Sequence, residues 1–182
     1  MYGLIHNALR GMILEQFGET KWNDVLTHSG VPADAFVTMR SYDDEIMYAL
    51  AGSASDVLGA PVEDCMDMFG RYWVLKAAPE TYSDLLDYTG RDPLTFFENL
   101  NDLHDRITAA FVGYRPPYFY VDRTHNDTMT LRYVSERHGL TPFVVGLIKG
   151  IAERFSTPIE ILNANTTRDD TGETTIFELR LG

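Results

Sequence analysis

Residues 118–137 read Tyr-Phe-Tyr-Val-Asp-Arg-Thr-His-Asn-Asp-Thr-Met-Thr-Leu-Arg-Tyr-Val-Ser-Glu-Arg. Upstream of this stretch, apolar residues recur every three or four positions; within it the period falls to two, which marks the change from helix to strand. Tyr118 to Arg123 is expected as one strand, His125-Asn126-Asp127 as the turn, and Thr128 to Arg137 as the return strand. Downstream, Thr141-Pro142 caps a helix from Phe143 to Phe155, with Val144, Leu147, Ile148, Ile151 and Phe155 as its buried face. Ile159 to Asn165 and Thr174 to Leu181 alternate again, joined by a polar turn at Arg168 to Gly172. Hairpin, helix, hairpin predicts a four-stranded antiparallel sheet with an inserted helix, in an α+β domain.

The N-terminal two-thirds reads as helix. Tyr2, Ile5, Leu9, Met12, Ile13 and Gln16 share a face up to Gly18, and a second helix covers Lys21 to Thr27. A third runs from Asp43 to Val57, a fourth from Pro61 until Pro79 ends it, and a short one from Ser83 to Tyr88. Pro93 opens the most regular helix, in which Leu94, Phe97, Leu100, His104, Ile107 and Phe111 form one stripe; Gly113 and Pro116-Pro117 close it. The expected organisation is one domain over 1–182, with a helical part at 1–60 and a second part, containing the sheet, at 61–182.

The chain has 182 residues, 45% hydrophobic, with a formal charge of −12. An acidic surface disfavours nucleic acid and anionic membranes as partners. A single cysteine, Cys65, excludes an internal disulfide and a cysteine-rich zinc site, and fits a reducing, cytoplasmic setting. The first residues lack the basic start and cleavage site of a signal peptide, so none is expected, and no run of apolar residues is long enough to span a membrane. With the last strand ending next to Gly182, no output domain is expected on the chain.

Two features resist a purely structural explanation. His104 takes an inward position on a stripe of Leu, Phe and Ile. It reads either as a core histidine bonded to a backbone carbonyl or as a metal ligand; a lone neutral imidazole in an apolar wall suits a haem iron better than zinc. In the return strand Met129, Leu131, Tyr133, Ser135 and Arg137 share a face, which ends in a phenol, a hydroxyl and a guanidinium. That face is either the wet end of an amphipathic edge strand or a grip for a buried ligand with two carboxylates. Taken together, a soft axial nitrogen and donors for two carboxylates match haem, with its iron and two propionates. His6, His28, His125 and His138 pair with no second ligand and are expected at the surface or in turns.

These residues resemble the haem–nitric oxide/oxygen binding family, the H-NOX domains related to the sensor domain of soluble guanylate cyclase. The resemblance covers essentially the whole chain. It rests on the Met-x-Gly start, Asn-Asp-Leu-His-Asp-Arg at 101–106, Arg-Pro-Pro-Tyr-Phe at 115–119, Tyr133-x-Ser135-x-Arg137, and Gly146-Leu-Ile-Lys-Gly150. It implies haem b buried between the helical part and the sheet. His104 would be the iron ligand, Tyr133, Ser135 and Arg137 would hold the propionates, and Pro117 and Ile5 would pack on the macrocycle. Gly146 and Gly150, four apart on one helix face, allow another layer to come close.

Oxygen-binding members carry a distal tyrosine supported by a tryptophan and an asparagine. Here those positions fall on Phe143, Leu9 and near Trp73. With Leu147 they imply an apolar distal pocket that selects nitric oxide, with carbon monoxide a further ligand and no stable oxygen adduct. The resemblance implies that nitric oxide releases His104 and that the signal passes to a separate sensor histidine kinase or cyclic-di-GMP enzyme. The competing classes are a haem enzyme, a cofactor-free interaction module and a haem carrier. A distal His–Arg pair, a proximal Cys, a Gly-rich phosphate loop and a nucleophile elbow are all missing from the sequence.

Overall fold

The computed structural model describes residues 1–32, 36–109, 113, 115–123 and 127–182, with Arg123 described by its backbone alone. Phe111 of the expected stripe, and His125 and Asn126 of the expected turn, lie outside the described residues.

Helix α1 spans Gly3–Ser29 and is broken in the middle by Gly18, whose φ of 85° is open to glycine at little cost. The boundary expected between two helices is this kink. Helix α2 spans Asp44–Leu58 and α3 spans Val62–Tyr72. Pro79 does not end the helix that Pro61 opens. A π-turn at Trp73–Ala77 intervenes, and α4, Ala78–Thr89, begins there with Pro79 in its first turn. The backbone stays helical through Ala77 and Ala78, and the widened π-turn is where the helix accommodates the missing proline N–H. A kink at Tyr82 (φ −129°, ψ 27°) divides α4.

The stripe opened by Pro93 is also divided. Helix α5, Pro93–Glu98, is capped by Asp92, whose carboxylate accepts the Thr95 N–H at 2.9 Å. Helix α6, Leu100–Thr108, follows after Asn99 leaves helical geometry (ψ 5°) and donates its amide to the Thr89 carbonyl. Apolar spacing carries across this break, so periodicity alone does not reveal it.

Strands β1 (Tyr118–Arg123), β2 (Thr128–Ser135), β3 (Ile159–Asp169) and β4 (Gly172–Leu181) form one antiparallel sheet in the order β1-β2-β4-β3. Helix α7, Thr141–Arg154, lies between the hairpins in sequence. Phe119 pairs with Tyr133, and Leu131 with Phe177, so the buried face of the sheet is aromatic and aliphatic while Tyr120, Arg132 and Ile176 face out. Leu131 and Phe177 are fully buried, each contributing about 2–3 kcal/mol of transfer free energy.

The core has two clusters. One joins the sheet to α7 and to Phe96, Phe97, Leu100 and Leu103 of α5 and α6. The other joins α1 to α2 and Phe69 of α3. Trp73 packs against both. Helices α3 and α7 touch backbone to backbone. A methyl group on Gly146 would lie 1.9 Å from the Asp67 carbonyl oxygen, and one on Gly70 2.1 Å from that of Phe143. No helix among the described residues is long and apolar enough to cross a membrane.

Candidate functional site

A cavity of about 220 Å³ lies between α6, α7 and the inner face of the sheet, closed on another side by the start of α1 and by Trp73. Its walls are mainly apolar, from Phe97, Leu100, Leu131, Val144, Ile148 and Ile151 among others. His104 of α6 stands in one wall. Its Nδ1 lies 3.1 Å from the Pro117 carbonyl oxygen. A carbonyl only accepts, so Nδ1 carries the proton and Nε2 holds a lone pair. That Nε2 has no partner among the described residues. Burial pushes the His104 pKa down to about 4, although its bond to Pro117 works the other way. The ring is therefore neutral at pH 7, the state in which an imidazole binds a metal.

At the cavity rim, Tyr133 is 2% exposed and Ser135 is buried, both on the inner face of β2. Burial pushes the Tyr133 phenol up to about 12, so it stays a protonated donor, and it meets the Ser135 hydroxyl. The Ser135 Oγ accepts the Arg137 backbone N–H at 3.0 Å. The return strand ends at Ser135, two residues short of Arg137. The Arg137 side chain nonetheless lines the same cavity. Its Nε donates to Asp44 Oδ2 at 2.7 Å, and another N–H donates to the Arg115 carbonyl at 2.9 Å.

His104, Pro117, Tyr133, Ser135, Arg137, Ile5, Trp73, Phe143 and Leu147 all line this cavity. Leu9 does not: at 2% exposure it is packed in the α1–α2 cluster, because the turn of α1 that faces the cavity is the earlier one bearing Leu4 and Ile5. Sequence reasoning missed Tyr2 and Tyr82, two phenols that also line the cavity, and Asp44, which holds Arg137 from α2. It missed Asn101, whose amide bonds to Phe119 of β1. The His104 stripe could have exposed Asn101, three residues earlier; nothing local marks Asp44.

His6 corrects an expectation. It is not a surface residue but 0% exposed, stacked on Phe36 at 4.4 Å between centroids, with Nδ1 on the Tyr2 carbonyl. His28 is exposed beside Asp56, and His138 is exposed. Among the described residues no three His, Cys, Asp or Glu converge as a metal cluster.

An imidazole in an apolar wall, on a cavity rimmed by phenol, hydroxyl and guanidinium, is a donor set that could hold a flat, largely apolar metal cofactor with acidic substituents. The donor set fits haem. The chain matches the family described as haem–NO-binding over residues 2–163, and it belongs to that family.

It is 31% identical to the soluble guanylate cyclase gcy-31 of Caenorhabditis elegans over 88% of its length, and 23% identical to the soluble guanylate cyclase 89Db of Drosophila melanogaster over 85%. The chain spans 23% of the length of each of these cyclases. In structure it resembles an H-NOX protein from S. oneidensis, solved in the Fe(II) state, with a TM-score of 0.88 at 22% identity, covering 100% of this chain and 96% of that one. An oxygen-binding H-NOX domain gives a TM-score of 0.84 at 19% identity, covering 100% of this chain and 95% of that one. These likenesses show the fold: helices followed by a four-stranded antiparallel sheet. The family is one of gas-sensing haem domains rather than catalytic ones, related to the haem domains of soluble guanylate cyclases.

Proposed function

We propose that this domain is a nitric oxide sensor that holds ferrous haem b through His104 and signals through release of that histidine. The observation that carries it is His104 in the wall of the cavity, its Nδ1 on the Pro117 carbonyl and its Nε2 without a partner among the described residues, with Tyr133, Ser135 and Arg137 at the rim. When bound, haem supplies an iron with one open position for a diatomic gas. His104 would hold the iron, its Nδ1–H fixed on Pro117, which orients the ring. Tyr133, Ser135 and the remaining N–H groups of Arg137 would take the propionates, since a phenol kept protonated and a guanidinium are both donors at pH 7. Pro117 would press a rigid ring against the cofactor face beside His104, and Ile5 would pack on the macrocycle.

Selectivity for nitric oxide over oxygen is supported by Phe143 and Leu147, hydrocarbon side chains on the cavity wall beside Trp73, since bound oxygen depends more than nitric oxide on a hydrogen-bond donor. Release of His104 would free α6 to shift against the sheet, a two-state element biased by ligand. The signal would then pass to a partner protein, of which a sensor histidine kinase or a cyclic-di-GMP enzyme is the expected kind.

The test is the absorption spectrum of dithionite-reduced protein before and after nitric oxide, without oxygen. A haem band that moves to the position of haem bearing nitric oxide as its only axial ligand is the expected result. A protein that takes up no haem would overturn the proposal. A band showing His104 still bound, with nitric oxide opposite, would overturn the release step.

A further inference from the structure

β1 is an edge strand, paired with β2 on one side only. On its open side two side chains of α6 take the place of a neighbouring strand. Asn101 Nδ2 donates to the Phe119 carbonyl at 2.7 Å, and the Phe119 N–H donates to Asn101 Oδ1 at 2.8 Å. One helical turn on, His104 Nδ1 meets the Pro117 carbonyl at 3.1 Å. Residues 117 and 119 are alternate residues of an extended segment, so their backbone groups point the same way. Asn101 and His104 are three apart on a helix, so their side chains share a face. The two spacings match, and helix side chains complete the edge as a strand's backbone would. A primary amide suits this place because it presents a donor and an acceptor side by side, as a peptide unit does. The Phe119 ring stands 6.0 Å from the His104 ring and 5.5 Å from the Tyr133 ring, centroid to centroid, so the backbone that Asn101 grips belongs to the residue between them.

We propose that Asn101 is a positioning residue for His104. Its paired hydrogen bonds set the register of α6 on β1 that brings His104 Nδ1 to the Pro117 carbonyl and leaves Nε2 facing the cavity. Movement of His104 must break this clasp or carry β1 with it. The proposal deepens the sensor reading and rests on it only for the haem-loaded arm of the test.

The first arm uses the haem-free protein and reads hydrogen exchange at single N–H groups by NMR. Losing the amide leaves the Phe119 N–H unpaired, so in Asn101→Ala it should exchange about tenfold faster, the equivalent of one hydrogen bond. The His104 Nδ1–H should be freed several-fold as well, with the Leu131 amide in the middle of the sheet unchanged. Asn101→Asp keeps the acceptor for the Phe119 N–H but sets a carboxylate oxygen against the Phe119 carbonyl. It should leave the Phe119 N–H protected while still freeing the His104 proton. His104 exchange equal to that of the parent, in whichever of the two variants folds, would overturn the proposal and leave Asn101 as cover for a strand edge. In the second arm, with haem loaded, Asn101→Ala should raise several-fold the rate at which His104 leaves on addition of nitric oxide; an unchanged rate would also overturn it. If the parent takes up no haem, the sensor reading fails while the first arm still decides this one.

Discussion

Arg137 and Asp44 are joined by a hydrogen-bonded ion pair, Nε to Oδ2 at 2.7 Å, across 93 residues of chain. Burial alone would raise the Asp44 carboxyl. Hydrogen bonds from the Met1 ammonium and Arg137 outweigh it, and its pKa ends below the usual carboxylate range. A carboxyl depressed on folding stabilises the native state above its unfolded pKa, and that contribution is lost as the pH falls through the folded value. Asp44→Asn should cost the haem-free protein about 1 kcal/mol at pH 7, read by urea denaturation, with the difference from parent vanishing in strong acid.

The same guanidinium supplies the strongest donors at the cavity rim. Arg137→Gln should speed haem loss to apomyoglobin by about tenfold, the equivalent of one charge-assisted hydrogen bond. Asp44→Asn, which leaves those donors in place, should change haem loss much less. Equal effects of the two substitutions would mean that Arg137 serves the α2 contact rather than a ligand.

His104 makes the haem-free protein acid-sensitive. Its pKa falls to about 4 in the native state from an ordinary value of 6.5. Between those values the unfolded chain binds a proton that the native state does not, so stability declines as the pH drops through that window and is unaffected above it. The whole effect is about 3 kcal/mol. His104→Leu should flatten that part of the stability–pH curve. His104→Gly should lose stable haem uptake and regain it with free imidazole, which can occupy the vacated position.

Packing of α3 on α7 depends on Gly146. A Cβ there would sit 1.9 Å from a backbone oxygen, which cannot rotate away. Gly146→Ala should therefore cost about 3 kcal/mol, whereas Gly150→Ala, whose nearest new contact is the Val74 side chain at 2.8 Å, should cost less. Thermal denaturation of the haem-free proteins distinguishes them.

For the gas, ferrous protein in air should oxidise without a persistent oxygen adduct, and Tyr82→Phe should leave that behaviour unchanged. Phe143→Tyr, which adds a donor on a wall of the cavity, should slow the oxidation and give an oxygen-bound spectrum. A persistent adduct in the parent that disappears in Tyr82→Phe would identify that phenol as the missing donor.

The α+β order, the strand face of Tyr133 and Ser135, and the inward placement of His104 were legible in the chain because they depend on local periodicity. Alternation at two and at three to four residues states which side chains share a face, whatever they later meet. The close glycines of α7 were legible for the same reason. Local pattern misjudged the breaks: Pro79, absorbed by a π-turn, and Asn99, which ends α5 without disturbing the apolar stripe.

What only the tertiary structure decided are the partners. That His104 gives Nδ1 to Pro117, that Arg137 reaches Asp44, and that Asn101 completes the edge of β1 depend on separations of 13, 93 and 18 residues. The burial of His6 beneath Phe36 and the packing of Leu9 one turn beyond the cavity, in the α1–α2 cluster, are of the same kind. Hydrogen bonds and ring contacts act over a few ångströms, so they exist only once packing has brought distant segments together. Periodicity says which face a residue takes, and the assembled core alone says what lies opposite it.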